Sequence, residues 1–199
     1  FGRLLHHWRS SVMSLIPLGF WAASGGGGGG AAFDLLETQT LASAASSVTF
    51  TGLGSYSDYK HLQIRYVARN ASSGFYRYIR FTFNGDTGAN YSSHRLEANG
   101  SSVSSSALTT RNQIDGARVI DNNLTANSFD GGVLDLLDFS SVTKAKTIRY
   151  IGGHTSSTYP FVALGSGRWG STAAVTSINI FNDGTSFITG SRFSLYGVK

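Results

Sequence analysis

The stretch "YKHLQIRYVAR", residues 59–69, alternates apolar and polar side chains almost without a break. Leu62, Ile64, Tyr66 and Ala68 fall on one side; His61, Gln63, Arg65 and Arg69 fall on the other, with Val67 the exception. A period of two belongs to a β-strand, and one apolar face opposite one polar face belongs to an antiparallel sheet lying on a core. "FYRYIRFTF", residues 75–83, repeats the pattern with Phe75, Ile79, Phe81 and Phe83 on one side. "NASSG" between the runs is turn chemistry. The two runs are therefore expected to be adjacent antiparallel strands, with Leu62, Ile64, Phe81 and Phe83 in the core.

The same reading extends along the chain. "VTFT" at 48–51, "TKAKTIRYIGG" at 143–153, "YPFVALGSG" at 159–167 and "AAVTSINIF" at 173–181 read as strands. So does "GGVLDLLDFS" at 131–140, with Val133, Leu137 and Phe139 sharing a face. Residues 91–99 suit a short helix or a strand, and "GSSVSSSALTTRNQ" at 100–113 reads as a polar loop. Asp183-Gly184 is a strong turn signal. The final "SRFSLYGVK" alternates again, and such a segment is expected to be tied into a sheet or paired with another chain. Roughly eight to ten strands at regular spacing, with no long amphipathic pattern, define the class. The expectation is an all-β fold: an antiparallel β-sandwich or jelly-roll-like domain with an extended N-terminal segment.

Composition narrows the function classes. Charged residues make up only 14% of the chain, against roughly 25% in ordinary soluble domains. Polarity comes from Ser, Thr, Asn and Gly, an association shared by extracellular and virion β-proteins. Cysteine is absent, which removes thiolate metal sites and cysteine nucleophiles and suits folding in a reducing cytosol. The net charge is +5, and positions 60–118 hold eight Lys/Arg against three Asp/Glu. That excess either forms a basic face for phosphate or acidic glycans, or places arginines on the solvent side of strands. No basic run of the nucleic-acid-binding kind occurs, so no nucleic-acid partner is expected.

The first 32 residues differ from residues 33–199, which are read as the β-domain. Residues 1–12 precede the only methionine, Met13, and suggest a processed product, a fragment or an extended reading frame. "MSLIPLGFWAAS" imitates a signal peptide, but Pro17 and Gly19 interrupt it. It is also too short to span a bilayer. Leu15, Ile16, Leu18, Phe20 and Trp21 instead suit an anchor that buries against another subunit. Gly25 to Gly30 lack the Lys and Ser/Thr of a phosphate loop and read as a hinge.

No catalytic constellation is assembled. "GSGRWG" at 165–170 matches a dinucleotide fingerprint by letter, yet a β-rich stretch follows it and no acid lies at the required spacing. It reads as a glycine-rich loop between strands. Trp169 at its tip either caps the core or stands exposed to stack on a sugar; with Tyr159 and Arg168 it forms the candidate glycan contact. Asp130, Asp135 and Asp138 are the densest acidic group. A strand sends Asp135 and Asp138 to opposite sides, which disfavours a glycosidase pair or a calcium site and leaves surface charges as the default. His6, His7, His61, His94 and His154 show no metal-ligand spacing. The expectation is no enzyme, no cofactor and no metal.

"MSLIPLGFWAASGGGG", "AAFDLLETQTLASAASSVTFTGLGSYSDYKHLQIRYVARN", "FNGDTGANYSSHRL", "LDLLDFSSVTKAKTIRYIGG", "AAVTSINIF" and "GSRFSLYGVK" occur in that order. In this order they resemble a family of small proteins of marine tailed phages, over residues 13–199. The resemblance implies a structural virion protein made in the host cytoplasm: a tail fibre, tail tip or capsid decoration, with other virion proteins as partners. It implies a homo-oligomer, a trimer by preference, projecting the β-domain from its anchor for host-surface attachment. The alternative reading is a lectin-like glycan-binding module.

Overall fold

The computed structural model describes residues 32–154 and 159–199. The residues of the anchor and the glycine hinge, Leu15, Ile16, Leu18, Phe20 and Trp21 among them, lie outside the described residues.

Twelve strands form two antiparallel sheets. They are β1 (Phe33–Thr40), β2 (Ser47–Phe50), β3 (His61–Ala68), β4 (Tyr76–Phe83), β5 (Tyr91–Ala98) and β6 (Val103–Arg111). Then follow β7 (Ile114–Ile120), β8 (Asp130–Leu137), β9 (Lys146–His154), β10 (Phe161–Trp169), β11 (Ile178–Asn182) and β12 (Arg192–Val198). The larger sheet runs β1-β12-β3-β8-β9-β10-β5-β6, and the smaller runs β2-β11-β4-β7. One short 3-10 turn, Leu53–Tyr56, is the single helical element among the described residues. No helix there is long and apolar enough to cross a membrane. The fold is a β-sandwich, as the alternation implied. The final segment is a strand bound on both sides, to β1 and to β3.

The core lies between the sheets. Leu62, Ile64, Tyr66 and Ala68 of β3 are all buried, with Phe193 and Leu195 beside them on β12 and Leu134 and Leu136 on β8. Ile79, Phe81 and Phe83 of β4 face them from the smaller sheet, with Ile178 and Ile180 of β11. Burying each such side chain stabilises the fold by roughly 1.5–3 kcal/mol.

Four expectations are corrected. First, β3 and β4 do not pair; they belong to opposite sheets. Two strands with one apolar face each bury those faces equally well side by side or across a core, so alternation alone does not choose. The link between them decides it. Asn70 donates from Nδ2 to the Val119 carbonyl at 2.8 Å, and the backbone there bridges to Asp121 and Phe187, which turns the chain across the sandwich. Second, 103–111 is the edge strand β6, not a loop; its Ser/Thr run has no apolar face to announce it and pairs only with β5. Third, β8 presents Leu134 and Leu136 inward rather than Val133 and Leu137. Phe139 still reaches the core because Asp138, at φ 48°, turns the backbone after the strand.

Fourth, "GSGRWG" is not a loop: Gly165, Ser166, Gly167, Arg168 and Trp169 lie within β10. Gly165 is opposite Tyr150 of β9, and a Cβ added there meets the Tyr150 ring at 2.4 Å. The glycine makes room for a buried aromatic, not for a phosphate.

Candidate functional site

A cleft of about 430 Å³ opens where the start of β4 and the ends of β7 and β9 meet the start of β10. Its rim carries Phe75 and Tyr159, whose ring centroids are 4.4 Å apart with planes tilted by 33°. Phe75 remains 51% exposed. A large aromatic left open beside a second one is a ready stacking surface. Tyr76, Arg118, His154 and Phe161 form the deeper wall, and Asn99 and Ser101 close the side nearest β5.

Arg118 is fixed by its neighbours. Its guanidinium carbon lies 4.0 Å from the centre of the Tyr76 ring and 5.7 Å from that of Phe161. Nη2 donates to Glu97 Oε2 at 2.8 Å. Behind it, Arg95 stacks on Tyr78 at 4.1 Å and approaches the same Glu97 carboxylate at 3.6 Å. Register explains the assembly: Tyr78 pairs with Arg118 across β4 and β7, while Arg95 and Glu97 project from the inner side of β5. Burial, and then the Glu97 charge, push the Tyr78 phenol up, so it stays a neutral hydroxyl. Two guanidinium groups therefore share one carboxylate.

His154 ends β9 and reaches inward. Its Nδ1 is 2.8 Å from Asp130 Oδ1, close but not aligned as a hydrogen bond, and the side chains are 6% and 0% exposed. Asp130 Oδ2 accepts the Ile120 N–H at 2.6 Å. Burial raises Asp130 to about 7 against the opposing pull of the Ile120 amide and Arg69. Burial alone lowers His154. The ring stands edge-on to Phe161 at 4.8 Å, and Nε2 has no partner among the described residues.

The candidate glycan residues do not converge. Tyr159 belongs to the cleft. Trp169 sits at the far end of β10, nine residues long and so spanning about 27 Å. Trp169 is 3% exposed, packs on Phe83 and Tyr91, and donates from Nε1 to Asp86 Oδ2 at 2.6 Å. It caps the core, and the sugar-stacking alternative is excluded by burial. Arg168 lies on the outer face of β10 in a shallow depression that His94, Leu108 and Thr147 also line.

The acidic trio separates as well. Asp130 is buried, which corrects its reading as a surface charge. Asp135 pairs with Gln63 and Arg149, and Asp138 with Lys144 and His61. Among the described residues, no group of three or more His, Asp or Glu is placed to hold a metal ion. The basic excess of 60–118 is mostly spoken for. Arg80 pairs with Asp115 and Asp183, Arg111 with Asp115, and Arg77 with Asp121. Arg69 caps four backbone carbonyls.

Arg118 and Phe161 were not singled out from the sequence; Phe75 was read only as part of the apolar side of its strand, and His154 only as one of five histidines without metal-ligand spacing. The usable signal was "YRYIR", where Tyr76, Tyr78 and Arg80 fall on the side opposite Ile79. In comparisons with known proteins, the chain matches no protein-family model, no curated protein and no solved structure.

Proposed function

We propose that the β-domain is a non-enzymatic attachment module that binds carbohydrate in this cleft. The observation that carries the reading is the exposed Phe75 ring, packed beside Tyr159, at a cleft that Arg118, His154 and Asn99 also line. A pocket of this kind, largely aromatic with a few convergent polar groups, suits a sugar ring: the apolar C–H face stacks while the hydroxyls find donors and acceptors. The resemblance of residues 13–199 to virion proteins of tailed phages supplies the setting, with the module as the head of a structural protein that meets the host surface. The test is glycan binding by the full chain and by Phe75→Ala. The expected result is saturable binding to a subset of glycans that the variant loses; wild-type and variant profiles that coincide overturn the reading.

A role in virion assembly is favoured by a second observation. On the outer face of the larger sheet Val133, Ile151, Leu164 and Leu96 stand in one cross-strand row. Val67, Val162 and Val103 stand in the row beside it, over the bare Gly131 and Gly153. Ile151 and Leu164 are 55% and 52% exposed. A contiguous apolar strip of this kind marks a contact surface. The rows end in Arg65, opposite Val133, and Arg192, opposite Val67, and the apolar stretch beyond them is uncharged; the occupant proposed is a second copy of the chain, whose apolar stretch meets this one. Sedimentation equilibrium of the full chain should show self-association that Ile151→Lys with Leu164→Lys abolishes. A monomeric wild-type chain overturns this role.

A further inference from the structure

We infer that the cleft selects acidic sugars, those bearing a carboxylate, and that Arg118 is the residue that reads the charge. This rests on the carbohydrate reading above and deepens it.

The charge balance points that way. Among the described residues that line the cleft, Arg118 is the one with a permanent charge, and none is Asp or Glu. Its nearest carboxylate, Glu97, is shared with Arg95, so two guanidiniums and one carboxylate leave the cluster with one net positive charge. An anion entering the cleft completes the balance. A cation meets an uncompensated like charge.

Geometry adds a reason for a planar anion. The Tyr76 ring covers the guanidinium at 4.0 Å and the Glu97 bond pins one end. A guanidinium held flat in this way is pre-organised for the parallel hydrogen bonds that a carboxylate accepts. Aromatic walls also exclude water, which strengthens the attraction relative to an exposed pair.

A second observation is independent of charge. His154, 6% exposed, lines the same cleft, and its Nε2 has no partner among the described residues. A buried polar nitrogen left unpaired is uncommon in a folded protein and calls for an explanation. A sugar hydroxyl or ring oxygen beside a carboxylate bound at Arg118 provides one. Phe75 and Tyr159 then take the pyranose face.

The experiment uses the full chain and changes the ligand first. Oligomers of galacturonate, glucuronate and mannuronate are each compared with the carboxyl-reduced neutral sugar of the same length by calorimetry in low salt. The expected result is at least one pair in which the acid form binds about tenfold more tightly, equivalent to about 1.4 kcal/mol. That preference should shrink in 0.5 M salt as screening grows. It should vanish in Arg118→Gln, whose fold is checked by its circular dichroism and melting temperature, while Phe75→Ala weakens acid and neutral forms alike. Equal binding of both forms, lost in Phe75→Ala, overturns the acidic preference and leaves the carbohydrate reading standing. Binding by neither form in any pair overturns both. If Arg118→Gln does not fold, the salt dependence with the native chain decides: a preference unchanged by salt overturns the role given to Arg118.

Discussion

His154 Nδ1 and Asp130 Oδ1 stand 2.8 Å apart with both side chains withdrawn from solvent. Burial shifts the two groups in opposite directions, the carboxyl to about 7 from 3.8 and the imidazole down from 6.5. As pH falls, the folded pair takes up its proton on Asp130, whose value is raised, before His154, whose value is lowered, whereas the unfolded chain takes it up on histidine first. The two shifts act in opposite directions on the proton uptake of the folded state, so the pair adds less slope to stability than either group would alone.

Removing one member exposes the other. In His154→Gln, Asp130 alone remains, with its folded value raised; its contribution is full below 3.8 and is lost as pH rises through about 7. In Asp130→Asn, His154 alone remains, with its folded value lowered; its contribution is present above 6.5 and is lost as pH falls below that. Urea unfolding from pH 4.5 to 7.5 should give slopes of opposite sign for the two variants relative to wild type, each up to about 1.4 kcal/mol per pH unit. Slopes of the same sign would show that the pair does not share its proton in this way.

A second prediction concerns Gly132 and Tyr66. A Cβ at Gly132 meets the Tyr66 ring and hydroxyl at 2.3 Å, and all three nearest atoms belong to that one side chain. Gly132→Ala should therefore destabilise by about 1–3 kcal/mol, the usual cost of overpacking. In a Tyr66→Leu background the same change should cost less than half as much, because the clash has gone. A double-mutant cycle by urea unfolding measures the difference; additive costs would place the obstruction elsewhere.

The strands with one clean apolar face were legible in the sequence. Leu62, Ile64, Phe81 and Phe83 are core residues because their alternation leaves no other way to bury them. What was not legible is the pairing. The 69–75 link looks like a hairpin turn and acts as a crossing, because the Asn70 side chain bonds to Val119 rather than to its neighbours. The cleft was hidden for the same reason. Phe75, Arg118 and Tyr159 are far apart in sequence, and only the packing of β4, β7 and β10 brings them together. Trp169 drew notice as a tryptophan among glycines, but those glycines admit Tyr150 and Ile114 to the core and leave no open loop.

Arg69 gives a third prediction. Its Nη1 donates to the carbonyls of Thr125 and Ser128 at 2.7 and 2.8 Å, and its Nη2 to those of Asn122 and Leu124 at 3.0 and 2.8 Å. The residue is 2% exposed and ties the segment between β7 and β8 to the end of β3. Arg69→Met keeps much of the stem and strands four acceptors. Hydrogen bonds to charged groups contribute about 1.5–3 kcal/mol each and do not add fully, so a loss of more than about 3 kcal/mol is expected. Arg69→Lys should recover little, since one ammonium cannot span a four-carbonyl fork. A lysine variant as stable as wild type, by thermal or urea unfolding, would rule out the fork as the source of the stability.

The last prediction separates the two aromatics that a search for sugar contacts brings forward. Trp169 is 3% exposed and Phe75 is 51% exposed. Trp169 packs between Phe83 and Tyr91 and satisfies its indole N–H on Asp86, whose carboxyl that bond helps to hold below its usual range. Trp169→Ala should therefore lower stability by about 3–5 kcal/mol, through a cavity and an orphaned partner. Phe75→Ala removes one exposed ring and its contact with Tyr159, so its cost should stay below about 1 kcal/mol. Urea unfolding of both variants at one pH checks the contrast. A stable Trp169→Ala protein would return that residue to the surface. A Phe75→Ala protein destabilised by several kcal/mol would make the ring pair a structural contact and leave the cleft without its stacking surface.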